Sequence, residues 1–252
     1  MKPILKVSDV TKTFEDRKKE KFYAVDHVSF QVMPGQTLGI VGESGSGKST
    51  LARLLCCLEV PDEGVLSLYG KEIGKEDRKK KRDVCQKIQM VFQDPVSSFD
   101  PRRTLGEGIG ESLRNAGIGQ KEVEKRVKQL LKQCGLPEEF AKRYPYEVSG
   151  GQCQRAAIAR ALAIEPQLLI CDEATSALDV TVQKQIMELL DQLRKEKHLT
   201  ILFICHNLAL VQSFCDQILV MKQGRIVEEG TPDEVILHPK HVYTKLLVDS
   251  VL

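Results

Sequence analysis

The sequence predicts an α/β fold in which a parallel sheet carries an inserted block of helices, and three observations predict it. The stretch "GESGSGKST", Gly42 to Thr50, stands between a short apolar run and a helical pattern. Three apolar runs, "TLGIVG", "LLIC" and "TILFIC", each lead straight into polar residues. Ligands of open α/β sheets bind at that edge. Between about residues 95 and 165 no clear strand is evident and helical spacing prevails.

Each element follows from its own pattern. Val28, Phe30 and Val32 alternate with polar residues, as in a half-buried strand. Pro34-Gly35 makes a turn. Thr37 to Gly42 suits a strand buried on both faces. A helix is predicted from Ser49 to Leu58, then a turn at Pro61 to Gly64 before "VLSLYG". The basic run Lys75 to Arg82 reads as a solvated loop or helix face. Ile88 to Phe92 is another apolar run, ending at Gln93. Val123, Val127, Leu130, Leu131 and Cys134 fall on one face of a helix, with Gly135 placed to cap it. Ser149-Gly150-Gly151 opens a helix from Gln152 to Ile164, and such an N-terminus suits an anion. Leu168 to Cys171 runs into Asp172-Glu173, and Thr200 to Cys205 into His206. No internal repeat is evident.

Composition narrows the function. The chain has 252 residues, 42% of them apolar, enough for one large domain with an insertion. Its 37 basic and 35 acidic residues nearly cancel, which argues against nucleic acid as the main partner. Eight cysteines without a CxxC pair suggest a reducing compartment. No apolar run is long enough to span a bilayer, and "MKPILKVSDV" lacks a signal-peptide core. A cytoplasmic chain is expected, with any membrane role supplied by a partner.

The chemistry concentrates at the strand ends. Gly42 to Ser49 fits the phosphate-loop pattern GxxxxGK[ST]. Its glycines let backbone N–H groups curl round a phosphate. Lys48 supplies charge for the β- and γ-phosphates, and the Ser49 hydroxyl is a ligand for Mg²⁺. The candidate nucleotide contacts are Gly42, Glu43, Ser44, Gly45, Ser46, Gly47, Lys48, Ser49 and Thr50. Asp172 stands where a metal-holding aspartate belongs. Glu173, one residue on, can accept a proton from an attacking water. In a chain without the phosphate loop the same pair would read as a plain acidic helix start. His206 is placed for a γ-phosphate contact, and Gln93 to reach the Mg²⁺ or the water.

With these residues in order, the chain resembles the ATPase subunits of ABC transporters over nearly its whole length. The family's motifs follow one another: the phosphate loop, a Q-loop at Gln93, a signature "VSGGQ" (Val148 to Gln152), "LLICDE", a D-loop "SALD" (Ser176 to Asp179) and a switch histidine at His206. No guanine-type NKxD motif is present. The resemblance implies one ABC ATPase domain over residues 1–252: a P-loop NTPase core with an antiparallel β subdomain, a helical subdomain at about 95–165 and a C-terminal tail at 225–252. It implies ATP and Mg²⁺ as cofactors. Catalysis would use Glu173, His206, Lys48 and Gln93, and the metal would sit on Ser49, Gln93 and Asp172. It also implies a head-to-tail pairing with a second ATPase subunit, identical or homologous. Ser149, Gly151 and Gln152 of one chain would then meet ATP on the phosphate loop of the other. Phe14, closing "VTKTF", matches the residue that stacks on adenine, with Tyr23 as competitor.

A narrower similarity points to importers of peptides or nickel. It rests on "FQDPVSSFDPRRTLGEGIGESL" (Phe92 to Leu113) and on "HPKHVYTKLL" (His238 to Leu247), which is similar to an HPYT ending. Val148 stands for the usual Leu and Val242 for the usual Pro, and the sequence lacks the Cys-containing tail of many peptide-importer subunits, so a metal chelate stays open as cargo. The family implies transmembrane permease subunits docking around Phe99 to Leu113, a substrate-binding protein acting indirectly, and a place on the cytoplasmic face of the membrane. The rivals are a non-transport ABC ATPase and a non-catalytic module. The first usually has two ATPase domains or a long coiled coil. The second is disfavoured by Lys48, Asp172, Glu173 and His206 together.

Overall fold

The computed structural model describes residues 2–15, 20–74, 78–175 and 178–250. Two sheets carry it. A four-stranded antiparallel sheet has the order β2–β1–β4–β5, from β1 (Leu5–Glu15), β2 (Lys21–Val32), β4 (Glu63–Leu68) and β5 (Lys71–Ile73). A six-stranded sheet has the order β10–β9–β3–β8–β7–β6. Its strands are β3 (Thr37–Val41), β6 (Ile88–Val91), β7 (Leu168–Asp172), β8 (Thr200–Ile204), β9 (Gln217–Lys222) and β10 (Arg225–Gly230). The first five run parallel and β10 returns antiparallel to β9. The β9–β10 turn has Gln223 at φ 48° and Gly224 at φ 81°, the two positive values that a tight hairpin turn demands.

β3, β7 and β8 are buried at every position, which explains their continuous apolar runs. Successive residues face opposite layers. Leu168, Ile170, Leu202 and Ile204 pack with α1 (Lys48–Leu55) and the antiparallel sheet. Leu169, Cys171, Ile201 and Phe203 pack with the helices of the other layer. That layer holds α3 (Leu105–Asn115), α4 (Gln120–Gln133), α5 (Gly150–Leu162), α6 (Val180–Lys197) and α7 (Leu208–Phe214). Its core is continuous from Leu113 and Val127 to Phe203, so the 95–165 stretch, which contains no strand, shares its hydrophobic interior with the sheet.

Local expectations meet the structure with a few adjustments. Val123, Val127, Leu130, Leu131 and Cys134 are all buried, and Gly135 follows α4 at φ 71°. α1 stops at Leu55, three residues before the expected Leu58, because Cys57 turns to φ 55°. Of the basic run, Lys75, Glu76 and Asp77 lie outside the described residues; the remainder begins α2 (Arg78–Lys87). The 225–252 stretch opens as β10 inside the main sheet rather than as an appendage. α8 (Pro232–Ile236) and α9 (Val242–Asp249) then bury Val235, Ile236, Tyr243 and Val248 against the core. Among the described residues no helix is long and apolar enough to cross a membrane.

Candidate active site

β3 delivers the chain into a loop that curls and enters α1 at Lys48. Two glycines there are forced by close approach. A Cβ on Gly42 (φ 148°) would lie 2.2 Å from the Met221 carbonyl oxygen, and one on Gly47 (φ 104°) 2.1 Å from that of Ala24. The loop is thus clamped between β9 and β2. The Gly224 N–H donates to the Ser46 carbonyl at 3.0 Å, and the Glu43 N–H donates to the Tyr243 hydroxyl at 2.9 Å. Lys48 is buried, and its ammonium donates to the carbonyls of Gly42 and Glu43, each at 2.7 Å, and to Ser46 Oγ at 3.3 Å. Burial pulls its pKa down, opposed by the charges of Glu173 and Asp172.

The neighbouring strands bring the acidic groups to the same rim. Asp172 ends β7, and its Oδ1 accepts from the Ser49 hydroxyl at 3.2 Å. Burial raises the Asp172 pKa, the Ser49 bond works against that, and Glu173 adds to it. Glu173 turns out of the strand at φ 48° while its N–H donates to the Ile204 carbonyl at 2.9 Å, tying the end of β7 to that of β8. Gln93, just past β6, donates from Nε2 to Glu173 Oε2 at 2.8 Å. The amide therefore engages the carboxylate itself. His206 is exposed just after β8. Its backbone is fixed, since the Cys205 N–H donates to the Ile40 carbonyl at 3.2 Å and Asn207 caps α7.

The donor set fits a magnesium nucleotide. Amides and a lysine surround a loop that only glycine can build, which suits phosphate. One hydroxyl and one carboxylate stand together as hard oxygen ligands for a cation that keeps most of its shell for water and phosphate. No group of three or more His, Cys, Asp or Glu among the described residues could hold a metal ion alone.

Comparison with known proteins agrees with this geometry. Residues 25–176 match the ABC transporter family. The chain belongs to the ABC transporter family. It is 44% identical over 260 residues to the oligopeptide transport ATP-binding protein OppF of Salmonella typhimurium, covering 99% of this chain and 78% of that protein. It is 39% identical over 256 residues to the di/tripeptide transport ATP-binding protein DppF of Pseudomonas aeruginosa, covering 99% and 79%. Among solved structures, the ATP-binding cassette MJ0796, a dimer bound to ADP and Pi, superposes with a TM-score of 0.83 at 33% identity, covering 90% of this chain and 98% of that one. The cbiO1 subunit of Clostridium perfringens gives 0.83 at 31% identity, covering 94% and 92%. As a member of the family, the chain binds ATP and couples its hydrolysis to transport.

The remaining ABC motifs take definite places. Ser149 caps α5: its hydroxyl accepts from the Gln152 N–H at 3.3 Å, and the Gln152 side-chain oxygen accepts from the Ser149 N–H at 2.9 Å. The signature is therefore also a capping box, a signal legible in S-x-x-Q. A Cβ on Gly151 would lie 2.5 Å from Val182 of α6, whereas one on Gly150 would meet nothing nearer than Leu178 at 3.7 Å. Ser149 and Gly150 face solvent, and among the described residues no hydrogen bond joins them to the phosphate loop. Within the D-loop Ser176 and Ala177 lie outside the described residues, while Asp179 caps α6. Phe14 is half-buried, 6.1 Å from the Phe22 ring. Tyr23 is 56% exposed and adjoins Ala24, which touches the loop. Reading the sequence did not find Tyr243 as a neighbour of the loop, although its HPYT-like setting marked that segment.

Proposed function

We propose that this chain is the ATP-hydrolysing subunit of a peptide importer, working as half of a head-to-tail pair with an identical or homologous subunit. The observation that carries the hydrolytic part is the joined set Ser49–Asp172 and Gln93–Glu173 beside Lys48, with contacts of 3.2 and 2.8 Å. Ser49, Asp172 and Gln93 would hold Mg²⁺, which neutralises charge on the phosphate oxygens when bound. Lys48 and the loop amides would stabilise negative charge as the γ-phosphate departs. Glu173 would orient water and take its proton, held in place by Gln93, with His206 touching the γ-phosphate. Phe14, or its competitor Tyr23, would stack on adenine.

Signature residues exposed at a helix N-terminus, away from their own loop, support a site completed by a neighbour. Ser149, Gly151 and Gln152 would meet ATP held by the partner. The dimeric state of MJ0796 supports the same pairing. The cargo reading rests on relatives named for oligopeptides, di- and tripeptides and glutathione, which favour peptides over nickel. Permease subunits would dock around Phe99 to Leu113 on the helical subdomain, with a substrate-binding protein acting through them. In this reading the chain would act at the cytoplasmic face of the membrane.

Glu173→Gln tests the catalytic assignment. It is expected to bind ATP, hydrolyse it very slowly and accumulate as an ATP-bridged dimer in sedimentation. Wild-type turnover in that variant would remove Glu173 as the base.

A further inference from the structure

We propose that the Tyr243 hydroxyl, reaching the phosphate loop from α9, is a positioning residue for Lys48 that sets the affinity of the site for nucleotide phosphates. The two contacts that matter fall on one peptide unit. The Gly42–Glu43 peptide presents its N–H to the Tyr243 hydroxyl at 2.9 Å and its carbonyl oxygen to Lys48 Nζ at 2.7 Å. Gly42, in the left-handed region at φ 148°, carries no side chain that would fix the orientation of that peptide. Rotation would carry the carbonyl away from the ammonium, so the tyrosine on one side and the lysine on the other fix it together.

The tyrosine is itself held firmly. It is 4% exposed, and the Lys222 ammonium stands 4.7 Å from its ring centre. Its N–H donates to His241 Nδ1 at 3.1 Å, which caps α9. Glu228 of β10 accepts from the N–H groups of Lys240 and His241 at 2.8 and 3.0 Å, anchoring the start of the helix. A ring that served packing alone would not need its hydroxyl. Here the hydroxyl is spent on the loop, across 200 residues of sequence. The C-terminal segment is thereby wired to the phosphate site.

The proposal rests on Gly42 to Ser49 being the nucleotide loop. Tyr243→Phe in the full chain removes the hydroxyl and keeps the ring. ATP and ADP titrated by calorimetry are expected to bind about three- to tenfold more weakly, the effect of one hydrogen bond. The melting temperature and turnover at saturating ATP are expected to stay near wild type. Amide exchange at Glu43 in nucleotide-free protein is expected to speed up. Leu246→Ala changes an exposed residue of α9 and leaves the tyrosine's hydroxyl bond and its anchors in place, so it is expected to keep wild-type affinity. Unchanged affinity and exchange in Tyr243→Phe would overturn the proposal, as would an equal loss of affinity in Leu246→Ala. Failure of the wild type to bind either nucleotide would instead overturn the loop assignment beneath it, and the proposal with it.

Discussion

Asp172 shows what a single residue contributes. The residue is 8% exposed, and burial raises its pKa above the ordinary value of 3.8. A carboxyl whose pKa is higher folded than unfolded binds protons more tightly in the native state. Its stabilising contribution is therefore complete below about pH 3.8 and is lost as pH rises through the raised value. At neutral pH the charge is costly until a cation compensates it. Asp172→Asn is thus expected to leave the nucleotide-free protein at least as heat-stable as wild type at pH values above the raised pKa, while abolishing MgATP hydrolysis. A melting series with and without Mg²⁺ and ADP checks this: the Mg²⁺-dependent rise should shrink in the variant. Glycines at the signature separate in the same way. Gly151→Ala must push Val182 aside and is expected to lower the melting temperature. Gly150→Ala fits the single chain, so a loss of ATPase activity at unchanged stability would report on a surface that another molecule covers.

At the scale of elements, α5 serves two masters. Its first turn is capped by Ser149 and Gln152, and its far end reaches the Q-loop side, where Arg160 donates to Ser98 Oγ at 3.0 Å with its guanidinium 4.3 Å over Phe99. Removing the cap with Ser149→Ala should cost about 1 kcal/mol of stability, which would obscure any role in nucleotide binding. Ser149→Asp separates the two. Aspartate caps as well as serine, so the melting temperature is expected to hold, whereas a carboxylate facing phosphate is expected to suppress ATPase activity strongly. Retention of both would leave Ser149 with capping alone. The parallel strands were readable in sequence because burial on both faces removes alternation and polar residues interrupt each run at one edge. β10 was less readable: Arg225, Glu228 and Glu229 make it a polar edge strand, and only its antiparallel pairing to β9 places it in the sheet.

Across the whole molecule, what the sequence conveyed was local and what it withheld was distant. Loop, strand ends and signature each announce themselves within a dozen residues. The Tyr243–Glu43 bond, the Gly224–Ser46 bond and the Gln93–Glu173 bond join segments far apart, and no periodicity encodes such meetings. The helical block likewise read as an insertion, yet its apolar face merges into the core of the sheet. The proposed shared site unifies the parts: each chain would leave it unfinished, with phosphate contacts on two separate surfaces. Lys48→Ala and Ser149→Arg, each assayed alone, are expected to be inactive. Mixed and allowed to exchange partners, they form pairs in which one site has both an intact loop and an intact signature, so ATP hydrolysis should return. A mixture as inactive as its components, with mixed pairs shown to be present, would contradict the shared site.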